Sequence, residues 1–216
     1  MNLRLNRTGF PGFAFFDLGN VLVSFDHQTC IDQLSKVTGA EAESIRKALF
    51  DSGLQDRYET GQVECRQFAE QLRGDLKCES TDAEIIEAVS AIFTPKLDIL
   101  PILQRLKAES VPMAILSNTC RGHWEWILQQ NWPVISGWFS HCVLSYEIRS
   151  MKPAIEIYEA CERLAACPPE WIFFTDDREE NVRTAAERGW QVHLFRTATE
   201  LQPDLDNWLN KVSTFN

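Results

Sequence analysis

The stretch "GFAFFDLGNVLVSFD", residues 12–26, gives the strongest indication of the fold of this chain. Four apolar residues at 13–16 end in the carboxylate of Asp17, and a turn-like segment containing Gly19 follows. Continuous apolar character over four residues is typical of a strand buried on both faces, as in a parallel sheet. A carboxylate directly after such a strand is costly unless it is paired or bound to a metal. The stretch therefore predicts a buried strand with a functional carboxylate at its carboxyl end.

Strand-like and helix-like patterns alternate through the second half of the chain. Three more apolar runs cover residues 111–116, 171–174 and 192–195, and a weaker one covers 142–144. Helical patterns lie between them, including one that opens at Pro153 and one that ends at Gly189. This alternation predicts an α/β protein with a doubly wound, Rossmann-like parallel-sheet core.

Residues 26–94 have a different pattern, with four amphipathic helical segments and no strand between them. We therefore expect an all-helical insertion at residues 26–94, called the helical insert below, and an α/β core domain formed by residues 1–25 and 95–216. An insertion directly after the first strand would lie over the crevice in which such folds bind ligands.

Composition limits the possible partners and the compartment. The formal net charge of −10 argues against nucleic acid and anionic membrane as partners. No apolar stretch reaches the ~20 residues that a membrane span needs, and the start of the chain does not resemble a signal peptide. The seven cysteines form no Cys-x-x-Cys pair, so we expect reduced thiols and a cytoplasmic location. No feature of the sequence indicates an oligomeric state.

Polar residues stand where the predicted strands end. Asp17 follows the first run, "SNT" (117–119) follows the second, Lys152 follows the weak run, and Asp176 and Asp177 follow the third. If these strands are neighbours, their carboxyl ends bring the polar groups to one place. Several carboxylates together suit a hard divalent cation, for which Mg²⁺ is the usual choice. A lysine and helix N-termini beside the cation suit a phosphate group.

Each of these residues also has a simpler explanation. Ser117, Asn118 and Asp177 are residue types that cap helix N-termini, and Lys152 taken alone would be an ordinary solvated lysine. Asp17 is harder to explain in this way because of the apolar run before it. The joint occurrence of all of them at strand ends favours a site.

The chain resembles the haloacid dehalogenase superfamily. "FFDLGNV" (15–21), "LSNT" (116–119), Lys152 with Pro153, and "FFTDD" (173–177) with Asn181 resemble its four motifs in order. The helical insert resembles the small helical cap of that superfamily. "YETGQVECRQF" (58–68) is similar to a Glu-x-Gly pattern in the caps of its sugar-phosphatase-like branch.

The resemblance implies a role for each motif residue. Asp17 would be the nucleophile that forms an aspartyl-phosphate, and Lys152 would neutralise charge on Asp17 and on the phosphate. Ser117 and the backbone N–H of Asn118 would bind the phosphoryl oxygens. Mg²⁺ would be held by four residues, of which Asp176 would ligate directly or through water: Asp17, the backbone carbonyl of Gly19, Asp176 and Asp177. The implied function is a Mg²⁺-dependent phosphatase for a small phosphorylated metabolite, with a sugar phosphate as the leading candidate.

Gly19 departs from the pattern of phosphatases in this superfamily. They usually carry a second Asp two residues after the nucleophile, and its acid–base assistance would be worth ~10²–10⁴ in rate. Three explanations are open: a substrate with a good leaving group, replacement by another group such as His123 or a residue of the insert, or binding without efficient turnover. A positive backbone φ at Gly19 would account for the glycine itself.

Two other functions compete with the phosphatase. A metal-free 2-haloacid dehalogenase also lacks the second Asp, but Asp176 and Asp177 would then repel the nucleophilic carboxylate. A non-catalytic binding protein that retains the fold is the third possibility, and the intact Asp17, Lys152 and Asp177 argue against it.

Overall fold

The computed structural model describes residues 10–214. Most of the segment expected to lead into the first strand, residues 1–9, lies outside this range. The seven strands of the described part are β1 Phe13–Phe16, β2 Val23–Phe25, β3 Phe93–Pro95, β4 Met113–Ser117, β5 His141–Leu144, β6 Ile172–Asp176 and β7 Gln191–Leu194.

Five of these strands form a parallel sheet in the order β5-β4-β1-β6-β7. β1 is central, with Phe16 opposite Ile115 of β4 and Thr175 of β6. This register places Asp17, the residue after β1, beside the last residues of β4 and β6. The predicted α/β class and parallel sheet are confirmed.

Helices cover both faces of the sheet, as doubly wound folds require. Those outside the insert are α6 Leu100–Ala108, α7 Arg121–Gln129, α8 Ser145–Ile148, α9 Ile155–Ala165, α10 Glu179–Glu187 and α11 Ala198–Ser213. Because side chains alternate along a strand, Ala14 and Phe16 pack with residues of α6 and α11, whereas Phe13 and Phe15 pack with residues of α9 and α10. α9 begins at Ile155, two residues later than the pattern predicted, after a cis peptide bond between Lys152 and Pro153.

The helical insert has its own apolar core. Its helices are α1 His27–Thr38, α2 Ala42–Arg46, α3 Leu54–Glu59, α4 Cys65–Leu76 and α5 Asp82–Ser90, with a π-helical segment at Lys47–Asp51. Ile31, Leu34 and Phe68 are fully buried in a cluster separate from those on the sheet. The prediction that residues 26–94 are all helical was wrong at the end of this range, because Phe93 and Thr94 belong to β3. This strand pairs antiparallel with β2, so a two-stranded ribbon closes the base of the insert.

Within residues 10–214, no helix is both long and apolar enough to cross a membrane.

Candidate active site

Asp17, Lys152 and Asp176 form an ion cluster at the carboxyl edge of the sheet. Lys152 Nζ lies 2.7 Å from Asp17 Oδ1 and 2.7 Å from Asp176 Oδ2. It donates a third hydrogen bond, of 2.9 Å, to the carbonyl oxygen of Leu116. All three residues are buried, and the three donors of the ammonium are used. The strand ends therefore bring together residues that are far apart in the sequence.

Asp176 is held by more hydrogen bonds than any other carboxylate of the cluster. Besides Lys152, the side-chain amide of Asn181 donates to both of its oxygens, at 3.1 and 3.0 Å. The backbone N–H of Arg178 donates to Oδ1 at 2.8 Å. Asp176 thereby fixes the position of Lys152 and the start of α10 together.

Two carboxylates of this cluster and the adjacent Asp177 are close enough together to bind one metal ion. Asp17, Asp176 and Asp177 each offer a carboxylate oxygen, and these oxygens lie within 4.8 Å of one another. Asn20, whose φ is +55°, donates to Asp177 Oδ2 at 2.8 Å and orients that carboxylate. Oxygen donors of this kind suit Mg²⁺ rather than a softer metal. The donor set therefore fits the cation that the sequence predicted.

The charge balance of the cluster also fits a divalent cation. The carboxylates of Asp17, Asp176 and Asp177 meet one buried ammonium, that of Lys152, so negative charge exceeds positive charge among these four groups. Burial and the neighbouring Asp176 and Asp177 raise the pKa of Asp17 to about 7, although Lys152 acts in the opposite direction. Burial disfavours the ammonium of Lys152, but the two carboxylates outweigh it and raise its pKa. A cation beside Asp17 would therefore keep this carboxylate ionised at neutral pH.

Ser117 and Asn118 lie at the end of β4, beside Lys152. Ser117 is buried and lines the same cavity as Asp17. The side chain of Asn118 makes two bonds with the backbone of Lys152: its amide donates to the carbonyl oxygen at 2.8 Å, and its Oδ1 accepts from the N–H at 2.7 Å. The motif predicted a role for the backbone N–H of Asn118, and the residue type suggested a helix cap, but neither predicted this clamp. The side chain fixes the backbone of Lys152 so that its ammonium reaches Asp17.

Gly19 lines the cavity two residues after Asp17. Its φ lies outside the left-handed region, so the suggestion that a positive φ requires this glycine is wrong. The crowding comes from a side chain instead: a Cβ on Gly19 would lie 2.9 Å from Cε1 of Phe25. The ring of Phe25, in the ribbon that closes the helical insert, occupies the space next to Gly19.

A cavity of about 750 Å³ lies between the sheet edge and the helical insert, a size typical of small-molecule sites. The wall on the core side includes Asp17, Ser117, Asn118, Lys152 and Asp177. The insert side carries the aromatic rings of Phe25, Phe50 and Phe93, and then polar side chains, among them Gln55 and Glu59. A small ligand in this cavity would have one end at the carboxylates and the other against the insert.

His123 also lines the cavity, but it is a neutral, packed side chain. It is buried, and its ring meets that of Phe93 edge to face. Burial, with a smaller effect of His27, lowers the pKa of His123 to about 4. At pH 7 it therefore holds no extra proton to donate.

Fold and site together define a class of protein: a doubly wound α/β protein with a buried carboxylate–lysine cluster at the carboxyl edge of its central strands. The chain belongs to the haloacid dehalogenase-like hydrolase family, whose model matches residues 13–189.

Known proteins similar to this chain include enzymes of the same kind. A D-ribitol-5-phosphate phosphatase of Bacteroides thetaiotaomicron is 25% identical over 205 residues, which cover 90% of this chain and 97% of the relative. A HAD family enzyme of the same organism, solved with magnesium and inorganic phosphate, is 27% identical with a TM-score of 0.77; the match covers 86% of this chain and 94% of that chain. A HAD-like family hydrolase from Porphyromonas gingivalis shares the fold at 20% identity, with a TM-score of 0.76 over 93% of this chain and 98% of that chain.

Proposed function

We propose that this protein is a Mg²⁺-dependent phosphatase that hydrolyses a small phosphorylated metabolite through an aspartyl-phosphate on Asp17. The observation that carries the proposal is the meeting of three carboxylates and one buried ammonium, of which Asp17, Asp177 and Lys152 line a cavity of small-molecule size. The relative named as a phosphatase and the structure with magnesium and phosphate support it.

Four residues at the sheet edge are the proposed ligands of the metal. Asp17, Asp177 and the backbone carbonyl of Gly19 would hold Mg²⁺, with Asp176 contributing directly or through water. The bound cation would neutralise charge on the phosphate and on Asp17, so that two anions can approach each other. Within residues 10–214 no group donates to Asp17 Oδ2, which leaves that oxygen open for the cation or the phosphorus.

The remaining steps belong to the side chains. An oxygen of Asp17 attacks phosphorus as the bond to the leaving oxygen breaks, and water later releases phosphate from Asp17. Lys152 stabilises Asp17 and the phosphoryl charge, while Ser117 and the backbone N–H of Asn118 hold phosphoryl oxygens. Phosphoryl transfer depends mainly on such positioning and charge stabilisation.

We propose a sugar or polyol phosphate as the substrate class. Aromatic faces beside polar side chains, as in Phe50 and Gln55 of the cavity wall, suit a carbohydrate chain. The named substrate of the relative, D-ribitol 5-phosphate, belongs to this class.

We also propose that the chain divides into two domains. These are a core of residues 1–25 and 95–216 and a helical insert of residues 26–94. We further propose that the protein works in a reducing compartment such as the cytoplasm, because all seven cysteines are free thiols.

A phosphatase assay tests the proposal. The full chain is assayed with p-nitrophenyl phosphate and with a panel of sugar and polyol phosphates, with Mg²⁺ and with excess chelator. We expect Mg²⁺-dependent phosphate release, its loss in Asp17→Asn, and wild-type rates in Asp75→Asn, an exposed aspartate of α4. Turnover that survives the chelator would refute the metal. Chloride release from 2-chloropropionate without any phosphatase activity would establish the dehalogenase instead.

A further inference from the structure

Position 19 lacks a group that could transfer a proton, although the proposed substrate class needs one. The leaving group of a sugar or polyol phosphate ester is an alkoxide, which departs slowly unless it is protonated as the P–O bond breaks. Gly19 has no side chain, and the ring of Phe25 occupies the adjacent space. Any proton donor must therefore come from another part of the cavity wall.

The cavity wall offers few candidates for this donor. His123 is neutral at pH 7 because burial lowers its pKa to about 4. His27 is exposed at the start of α1, with its ring against Phe25 and Phe50. Among the cavity-lining carboxylates of residues 10–214, those on the sheet edge serve the metal, which leaves Asp56 and Glu59 on the insert. Asp56 is exposed, whereas Glu59 is partly buried.

Glu59 is fixed against the core by its own backbone and its neighbours. It is the last residue of α3, and its carbonyl oxygen lies 2.6 Å from Ser145 Oγ at the start of α8. The hydroxyl of Tyr58 accepts from the backbone N–H of Gly122 at 3.1 Å. Gly61 approaches so closely that a Cβ there would lie 2.2 Å from the Tyr146 carbonyl oxygen. The segment that carries Glu59 is thus docked on the loops after β4 and β5.

The contacts of Ser145 and the lining of the cavity place Glu59 near the proposed phosphate end of the cavity. The same Ser145 Oγ accepts from the backbone N–H of Thr119, two residues after Ser117. Asp177 and Arg178, which follow β6, line the same cavity as Glu59. Glu59 is therefore linked through Ser145 to the segment that follows β4, and it shares the cavity with the segment that follows β6. These two segments carry the residues that would hold the phosphate and the metal.

The surroundings of Glu59 favour a carboxyl group that holds a proton. Burial raises the pKa of Glu59, and the nearby Asp56 raises it as well. The Gln55 side-chain amide, which donates to Glu59 Oε1 at 2.7 Å, and Arg178 act in the opposite direction. A carboxyl group with a raised pKa is suited to general acid catalysis near neutral pH.

We propose that Glu59 is the general acid and base of the phosphatase reaction, in place of a side chain at position 19. This inference rests on the proposed phosphatase function. In the first step the Asp17 oxygen forms a bond to phosphorus, the bond to the leaving oxygen breaks, and that oxygen takes the proton of Glu59. In the second step the Glu59 carboxylate accepts a proton from water, whose oxygen bonds to phosphorus as the bond to Asp17 breaks. Glu59 regains its proton, and the products are an alcohol and phosphate.

Glu59→Gln tests the proposal with two substrates that differ in leaving group. On a primary alkyl phosphate, such as ribitol 5-phosphate, we expect kcat/KM to fall by ~10²–10⁴. On p-nitrophenyl phosphate, whose leaving group needs no proton, the first step should stay fast and the second should slow. Rapid mixing should then show a burst of about one nitrophenolate per site, followed by slow turnover.

The control is Glu79→Gln, the same substitution at an exposed site of the helical insert outside the cavity, and it should retain wild-type rates on both substrates. Undiminished alkyl phosphatase activity in Glu59→Gln would overturn the proposal. An equal fall of the first step on both substrates would also overturn it, because that pattern indicates a structural role. Failure of the phosphatase function can be distinguished from failure of the Glu59 proposal, because the wild-type protein would then release no nitrophenolate with Mg²⁺.

Discussion

Lys152 is a buried ammonium whose charge is shared by two carboxylates and one backbone carbonyl. Removal of one member of a buried ion cluster leaves the others without compensation, which costs ~3–5 kcal/mol in measured cases. Lys152 therefore contributes to the free energy of folding, in addition to the role in the reaction that we propose for it. Its position depends on the Asn118 side chain, which holds its backbone on both sides.

We predict that Lys152→Ala lowers turnover by at least about 10²-fold and lowers the free energy of unfolding by ~3 kcal/mol in metal-free buffer. Adding Asp17→Asn should restore part of that stability, because one of the two facing carboxylates loses its charge, while activity stays absent. Urea unfolding and steady-state kinetics measure the two effects. Lys47→Ala, in an exposed pair with Glu43, is the control and should change stability by less than about 1 kcal/mol. Near-normal turnover in Lys152→Ala would show that the ammonium has no part in the reaction.

The ring of Phe25 is the reason that a side chain at position 19 is difficult. A Cβ contact of 2.9 Å with Cε1 requires the ring to shift, and this ring is half-buried in the cavity wall. The ring of Phe25 can occupy its position because Gly19 has no side chain.

We predict that Gly19→Asp alone lowers phosphatase activity, because the new carboxylate displaces Phe25 from the cavity wall. Gly19→Ala should cause a similar loss, since the clash begins at Cβ. Combining Gly19→Asp with Phe25→Ala should recover activity, most clearly on alkyl phosphates and in the Glu59→Gln background. The measurement is kcat/KM for alkyl and aryl phosphates in all variants. If Gly19→Ala has wild-type kinetics, Phe25 does not restrict the position.

At the scale of elements, the apolar runs predicted the sheet well because both faces of a parallel strand are buried. β1 matches its predicted bounds, and the other strands shift by one or two residues. Ser117, Thr175 and Asp176 belong to strands although they are polar, because ladder hydrogen bonds come from the backbone. The expectation that polar residues meet at strand ends followed from topology alone, and the distances between Lys152 and its partners agree with it.

Short strands and helices and contacts between distant residues could not be predicted from the sequence. β2 and β3 have three residues each, which is too short for a periodic signal, and β3 contains Pro95. Ser145 begins a four-residue helix and gives no motif, yet its hydroxyl joins α3 to the loop after β4. The two bonds of the Asn118 side chain also depend on residues 34 positions apart. Such contacts are properties of the assembled fold.

The Ser145 hydroxyl links the helical insert to the loop after β4. It accepts from Thr119 N–H at 2.9 Å and has two carbonyl acceptors for its proton, those of Glu59 and Thr119. We predict that Ser145→Ala costs ~1–3 kcal/mol, because buried backbone groups lose their partner. It should also lower kcat/KM on alkyl phosphates more than on aryl phosphates, since Glu59 loses its anchor.

Chemical unfolding and kinetics on both substrates measure the effects of Ser145→Ala. Ser150→Ala, which removes a hydroxyl with one exposed contact to Glu156, is the control and should be close to wild type. Equal kinetic losses on the two kinds of substrate would indicate that Ser145 acts on the whole site rather than through Glu59.

At the scale of the molecule, the net charge of −10 makes two effects of cations possible. Any salt screens the general repulsion among carboxylates, whereas a bound Mg²⁺ would act at one place, where Asp17, Asp176 and Asp177 meet. A cation that binds only the folded state stabilises it by an amount set by its concentration relative to its dissociation constant. The two effects can be separated because only the second depends on particular residues.

We predict that Mg²⁺ raises the free energy of unfolding of the wild-type protein by ~2.7 kcal/mol at a concentration 100 times its dissociation constant. NaCl at equal ionic strength should give a much smaller change. Asp177→Asn should lose most of the Mg²⁺ effect, because it removes a ligand that Asn20 orients, while Asp75→Asn should retain it. The measurement is urea unfolding with and without Mg²⁺ and needs no substrate, so it tests the cation site separately from activity. Equal Mg²⁺ stabilisation of wild type and Asp177→Asn would mean that the cation acts on the overall charge and not at the carboxylate cluster.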